Sequence, residues 1–239
     1  GLGGRRAPAW TAPRAPAHVV TELLLQVALY GLAAAAAAPI ALVVCALILG
    51  MSGRPLAGAW TFTAGAAFLD VVFATVILAS SMFDDAGDAG AYVDVGLGVL
   101  FAVIGAIAVL SHESPEKQPA RQARAQQIAT AGLKSLFLAG LAVQVINFDA
   151  IAVFGGALKE IAAADVSTSE EIVATAFGLA IMLSVYYAPT IIYVLVPQKS
   201  QAMLGAITTW VIAHSRILEI ATGLGFGVLF LWKGLAVLL

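Results

Sequence analysis

The run Gly140-Leu141-Ala142-Val143-Gln144-Val145-Ile146-Asn147-Phe148-Asp149 decides how this chain is read. It lies inside an apolar stretch spanning about residues 133–164, longer than one straight span needs. It combines a helix-breaking residue with polar and ionisable groups in mid-stretch. An ionisable group within hydrocarbon costs about 2.5–3.5 kcal/mol on insertion scales, so it faces a partner or a cavity. The run therefore predicts a broken membrane helix with a polar feature at its centre.

The rest of the chain agrees. Its 239 residues are 61% hydrophobic and only 11% charged, with mean hydropathy +0.97. Soluble domains carry about 25% charged residues, so most of this surface is suited to lipid. Five further apolar stretches accompany residues 133–164, at about 23–49, 55–82, 92–110, 170–196 and 217–239. Each is close to or above the ~20 residues that cross a bilayer. The expected fold is all-α, a polytopic membrane protein with six transmembrane helices.

Residues 1–21 read as a disordered tail rich in Ala, Pro and Arg, without the small-residue cleavage site of a signal peptide. The transmembrane domain then covers 22–239, with a polar connector at about 112–130. The segment 120–129 within that connector has the composition of a short interfacial helix. Pro55 suits the first turn of the second span. Ser167 and Glu170 have capping-box spacing and open the fifth. Residues 83–90 are acidic and glycine-rich, and 197–215 form a polar connector.

Arg54, Lys117, Arg121, Arg124, Lys134, Lys199 and Arg216 share one side of this six-span arrangement. The other side holds Lys159, the acidic Asp84, Asp85 and Asp88, and the arginines of the tail. The positive-inside rule places the first group in the cytoplasm and both termini outside the plasma membrane. A net charge of −2 and a pI near 5.9 give no footing for nucleic acid. Cys45 is the only cysteine, which excludes an internal disulfide and a thiol relay.

The chain also matches itself. Gly-Val-Leu-Phe occurs at residues 98–101 and 227–230, each followed four residues later by a glycine, Gly105 and Gly234. Gly31-Leu32-Ala33 likewise matches Gly140-Leu141-Ala142, a register that sets Ala38-Pro39-Ile40 against Asn147-Phe148-Asp149. Repeat one then covers about 22–111 and repeat two about 131–239. Three spans per repeat is an odd number, so the repeats are inverted in the membrane, a transporter pattern with its site at the repeat interface.

Candidate site residues follow from depth. Asp70 lies near the middle of the second span and Asp149 near the middle of the fourth, with no Lys or Arg at comparable depth. Each is either protonated against a neighbouring helix or turned toward water or a cation. Gln144 and Asn147 lie about one turn apart on one helix and serve either as contacts between helices or as substrate contacts. Pro39 and Pro189 each remove a helix hydrogen bond and bend their spans; Pro39 matters more because it aligns with the Asn147 segment. Lys233, near the C-terminal end, either snorkels to the interface or pairs with Asp94. No metal-ligand spacing, nucleophile–base pair or cofactor motif is visible, so neither an enzyme nor a cofactor is expected.

Ala38-Pro39, the turn Ser52-Gly53-Arg54-Pro55, Ala64-Gly65, Asn147, Pro189, His214-Ser215-Arg216 and Lys233-Gly234 occur in a characteristic order over about residues 23–239. In that order and spacing the chain resembles the sulfolipid- and glycopeptidolipid-addressing (GAP or Sap) membrane proteins of the lysine-exporter superfamily. The superfamily commonly breaks the fourth span with an Asn-Pro pair; here Phe148 replaces the proline, which predicts a softer break. The resemblance implies a transporter or lipid-export factor moving a (glyco)lipid toward the cell envelope. Its partners would be membrane lipids, a separate lipid exporter or synthase, and a second copy of the chain as a homodimer. Two alternatives stay open: a proton-coupled exporter of an amino acid or cation, and a non-transporting scaffold for a lipid exporter.

Overall fold

The computed structural model describes residues 15–79, 88–110, 123 and 126–239. Most of the expected tail, residues 83–87 of the expected acidic loop, and residues 111–122 with Lys117 and Arg121 lie outside the described residues, as does Arg124; residues 88–90 of that loop are helical instead. The helices with described bounds are α1 (Ala17–Ala36), α2 (Pro39–Met51), α3 (Pro55–Ala79), α4 (Asp88–Leu110), α5 (Leu133–Ile146), α6 (Phe148–Ala163), α7 (Thr168–Met182), α8 (Ser184–Leu195) and α9 (Pro197–Leu238), and residues 126–129, within the segment expected as an interfacial helix, are helical as well. No strand occurs among the described residues. Large apolar side chains such as Leu29, Phe68, Val76, Val228 and Trp232 stand exposed along the helices, as on a membrane protein, whose outer surface meets hydrocarbon rather than water.

Three helices are long and apolar enough to cross a membrane, Ala17–Ala36, Pro55–Leu78 and Ile220–Leu238. Two bent pairs raise the number to five when each is counted as one span. Pro39–Met51 and Asp94–Ile107 are shorter apolar helices. Three of the six expected spans are broken, at Ala38, Asn147 and Leu183, and Asp94–Ile107 is shorter than a crossing.

The first break follows from proline chemistry. Pro39 has no N–H to donate and its ring excludes a helical carbonyl before it. Ala38 takes φ −112° and ψ 49°, and Pro39 becomes the first residue of α2. The second break has no proline, yet Asn147 adopts nearly the same ψ, at φ −81° and ψ 47°, and Phe148 starts α6. The bend there is 72°, so the softer break expected from Phe148 is not what the fold contains. Asn147 is buried at the break, with its amide 3.5 Å from the Tyr186 hydroxyl of another helix. The third break lies at Leu183, with a bend of 64°. Pro189 sits inside α8, not at the bend. Its ring opposes the carbonyl of Val185, four residues back, in the first turn of α8. That turn begins with a tight bond from Tyr186 N–H to Leu183 O at 2.9 Å.

Glu170 accepts from the Ser167 N–H at 2.8 Å and closes the expected capping box on α7. The expected connector at 197–215 is instead helical. Pro197 occupies the first turn of α9, which runs 42 residues without interruption, about 63 Å at 1.5 Å per residue. That is roughly twice the ~30 Å hydrocarbon core.

Glycines set the helix spacing where backbones touch. Gly65 of α3 lies against the Phe137 carbonyl of α5, and Gly140 of α5 lies against the Phe62 carbonyl of α3. Gly31 of α1 lies against the Gly178 carbonyl of α7. Between α4 and α9, Gly98 faces Leu231 while Gly227 faces Ala102, and Gly105 faces Leu224 while Gly234 faces Val95. Phe101 and Phe230 stack between these two helices, with centroids 5.9 Å apart. Small residues let helices approach closely where lipid offers no hydrophobic drive to association.

Candidate functional site

α3 and α5 pack through the glycine contacts just described, which brings Asp70 to Gln144. The Gln144 amide donates to Asp70 Oδ1 at 2.7 Å. Tyr186 of α8 donates its hydroxyl to Gln144 Oε1. The Asn147 amide reaches the same hydroxyl at 3.5 Å. Four side chains from α3, α5, the α5–α6 break and α8 thus form one buried polar chain. Asp70 is 1% exposed, and its Oδ2 has no hydrogen-bond partner. Burying a polar atom without a partner is costly, so this oxygen is open to a proton, a cation or a donor group on a bound molecule.

The chain extends to α2. The Cys45 thiol donates to the Tyr186 carbonyl at 2.9 Å and lies 3.7 Å from Thr190 Oγ1. Phe62 packs on the Tyr186 ring, with centroids 5.6 Å apart. Tyr186 is therefore the hub: its hydroxyl serves the α5–α6 break and its backbone holds α2, the segment after the Pro39 break.

The expected residues divide accordingly. Asp70, Gln144 and Asn147 come together. Asp149 stands half-buried in the first turn of α6, where its Oδ1 accepts from the Ala150 N–H at 3.0 Å. A carboxylate is favoured at that helix end by the backbone dipoles. Pro39 is half-buried at the start of α2 and contributes the break rather than a polar contact. Tyr186, Thr190 and Cys45 were missed. The signal for the first two was polar side chains one turn apart in Tyr186-Tyr187-Ala188-Pro189-Thr190, a span interior otherwise apolar.

A second polar cluster, charged, lies toward the far end of α6. Lys159 of α6 pairs with Asp94 of α4, and Glu160 pairs with Lys233 of α9. Lys233 also donates to the Tyr30 hydroxyl at 3.3 Å. The expected Lys233–Asp94 pair is thus replaced by two pairs that both run to α6. Sequence reasoning put Lys159 at a helix end and gave it no partner. Among the described residues no group of His, Cys, Asp and Glu could hold a metal ion.

A cavity of about 330 Å³ opens where the end of α2, the end of α8 and the beginning of α9 meet. Its walls include Leu47, Met51, Tyr193, Gln201, Leu204 and Thr208. Ala46, also in the wall, follows Cys45 directly, and Tyr193 lies three residues beyond Thr190. The cavity wall and the polar chain thus share α2 and α8, on neighbouring turns.

No curated protein and no solved structure matches this chain. A family model described as Sap, sulfolipid-1-addressing protein, matches residues 27–236, a region that holds every residue of both polar clusters. By that match the chain belongs to the Sap, sulfolipid-1-addressing protein, family.

Proposed function

We propose that this protein moves a lipid, of the glycolipid or sulfolipid class, across the plasma membrane toward the cell envelope, with the Asp70–Gln144–Tyr186–Asn147 chain as its site. The single observation that carries the reading is the buried Asp70 carboxylate with one oxygen bonded and the other unpartnered. A scaffold needs no such group at the centre of its helices, whereas transport sites are built from polar groups beside discontinuous helices. The lipid class rests on the family description.

The same proposal includes six spans arranged as two inverted repeats, within the lysine-exporter superfamily. The glycine contacts support it. A shift of 129 residues carries Gly98 to Gly227 and Ala102 to Leu231, so the contacts of Gly98 with Leu231 and of Gly227 with Ala102 exchange with each other. The same shift exchanges Gly105–Leu224 with Gly234–Val95, and pairs Phe101 with Phe230 on the dividing line. Reciprocal contacts of this kind are what a two-fold relation produces. The near-equal ψ at Ala38 and Asn147, 49° and 47°, points the same way. Both termini outside is the orientation that the basic residues favour.

Purified protein in liposomes carrying a fluorescent sulfated glycolipid tests the reading, with an impermeant quencher reporting leaflet exchange. Exchange faster than in empty liposomes is expected, falling about tenfold or more in Asp70→Asn and Gln144→Leu. Inert wild-type protein would favour the scaffold. Wild-type rates in both variants would remove the site from the mechanism.

A further inference from the structure

The two ends of the helix bundle differ. At the end marked by Asp94 and Lys233, α6 is tied on both sides by consecutive residues: Lys159 holds α4 through Asp94, and Glu160 holds α9 through Lys233. The Lys159 and Asp94 side chains are 16% and 4% exposed. Just below, Gly156 has no room even for a Cβ, which would lie 2.9 Å from the Tyr30 ring and 3.0 Å from Phe230. The helices are closely packed there, with the Lys233 and Glu160 side chains 38% and 23% exposed at the outer edge. At the end marked by Pro197 lies the 330 Å³ cavity. Thr209 of its wall and Lys233 are 24 residues apart on one unbroken helix, about 36 Å, so the two features occupy opposite ends.

The repeat register joins them. The shift of 109 residues that carries Gly31 to Gly140 and Pro39 to Phe148 carries Gly50 and Met51, in the cavity wall, to Lys159 and Glu160. Corresponding places in the two halves are thus open in one and locked by ion pairs in the other. The Lys159–Asp94 pair is largely buried and the Glu160–Lys233 pair partly exposed; neither kind contributes much net stability, and the best-attested use of a buried pair is to specify one arrangement over another. We propose that the Lys159–Asp94 and Glu160–Lys233 pairs are the gate of an alternating-access cycle, closed here at the Asp94 end while the Pro197 end stands open. The proposal rests on the transport reading above and adds which groups move: α6 leaves α4 and α9 when the pairs part, and the cavity against α2 closes.

Thiol labelling tests this without any lipid. Ala152 is buried on α6 between Asn147 and Lys159, and Thr208 lines the cavity. Ala152→Cys and Thr208→Cys are made separately in a Cys45→Ala background and reconstituted in nanodiscs, which expose both ends to an impermeant maleimide. With the pairs intact, Thr208→Cys should react fast and Ala152→Cys slowly. Adding Asp94→Asn with Glu160→Gln should raise the Ala152→Cys rate about tenfold or more and lower that of Thr208→Cys, as a population shift requires. The exchange Asp94→Lys with Lys159→Asp should restore the original pattern. Where the double neutralisation does not yield folded protein, Glu160→Gln alone should move both rates in the same directions. An unchanged Ala152→Cys rate, or a rise at both positions together, overturns the gate. A failed lipid-exchange assay with reciprocal labelling would sink the assigned cargo alone; exchange without reciprocity would sink the gate alone.

Discussion

Gly65→Ala tests whether helix spacing holds the site together. A Cβ built on Gly65 lies 2.1 Å from the Phe137 carbonyl oxygen, where ordinary contact begins at 3.4 Å. The Phe137 carbonyl is backbone, so no side-chain rotation relieves the clash, and α3 must separate from α5 by about 1.3 Å. Asp70 lies five residues along α3, and Gln144 four residues beyond Gly140 on α5. Their 2.7 Å hydrogen bond would stretch to about 4 Å, beyond any useful bond length. Overpacking costs about 1–3 kcal/mol, and a buried polar group left unsatisfied costs about 1–3 kcal/mol more. The variant should therefore unfold at lower denaturant or temperature in mild detergent and lose lipid exchange. Gly96→Ala and Gly225→Ala serve as controls, because a Cβ at either meets nothing within 4 Å and neither lines the cavity. They should match wild type or gain a few tenths of a kcal/mol from helix propensity. If Gly65→Ala were as stable and as active as Gly225→Ala, the claim that this contact positions Asp70 would be wrong.

Two other outcomes are expected. Phe148→Pro should fold with stability within about 0.5 kcal/mol of wild type, because the residue opens α6 and proline is suited to a first helical position; Ala38 before Pro39 already shows that the required ψ precedes a proline. A loss beyond about 2 kcal/mol in denaturant unfolding would show that the two breaks are not equivalent. Gln201→Cys in a Cys45→Ala background should resist an impermeant thiol reagent in intact cells and react in inverted vesicles, since Gln201 is exposed at the Pro197 end. Labelling from outside would reverse the orientation.

Much of the site was legible because its residues are expensive where they stand. Asp70, Gln144 and Asn147 are polar in stretches otherwise apolar, and depth alone marked them as needing partners. Their convergence follows from glycines that are also visible in the sequence, Gly65 and Gly140, although nothing in the sequence says that these two face each other. Asp149 carried the same depth signal and separated from the group for a local reason. The break at Asn147 makes it a first-turn residue of a new helix, where a carboxylate finds backbone N–H groups at hand. Tyr186 was harder to see, because a tyrosine in a membrane helix commonly reads as an interface anchor. Only the fold shows that it joins two breaks.

The larger misreading, of 197–215 as a connector, shares a cause with the missed ion pairs. Lys199 and His214 marked the segment as a polar connector, yet polarity speaks to solvent and not to backbone conformation. No proline or paired glycine interrupts α9 after Pro197 for 25 residues, and helix propensity carries the segment through. That extra length is what lets one helix touch both the cavity at Gln201 and Thr208 and the lock at Lys233. A short sixth span would reach only the lock, and its ion pair with Glu160 would bear on one end of the molecule alone. With α9 continuous, a movement that frees Lys233 from Glu160 can be carried along the same rigid element to the cavity wall some 36 Å away. The coupling between the ends then needs no separate device, only a helix that does not bend between Thr209 and Lys233.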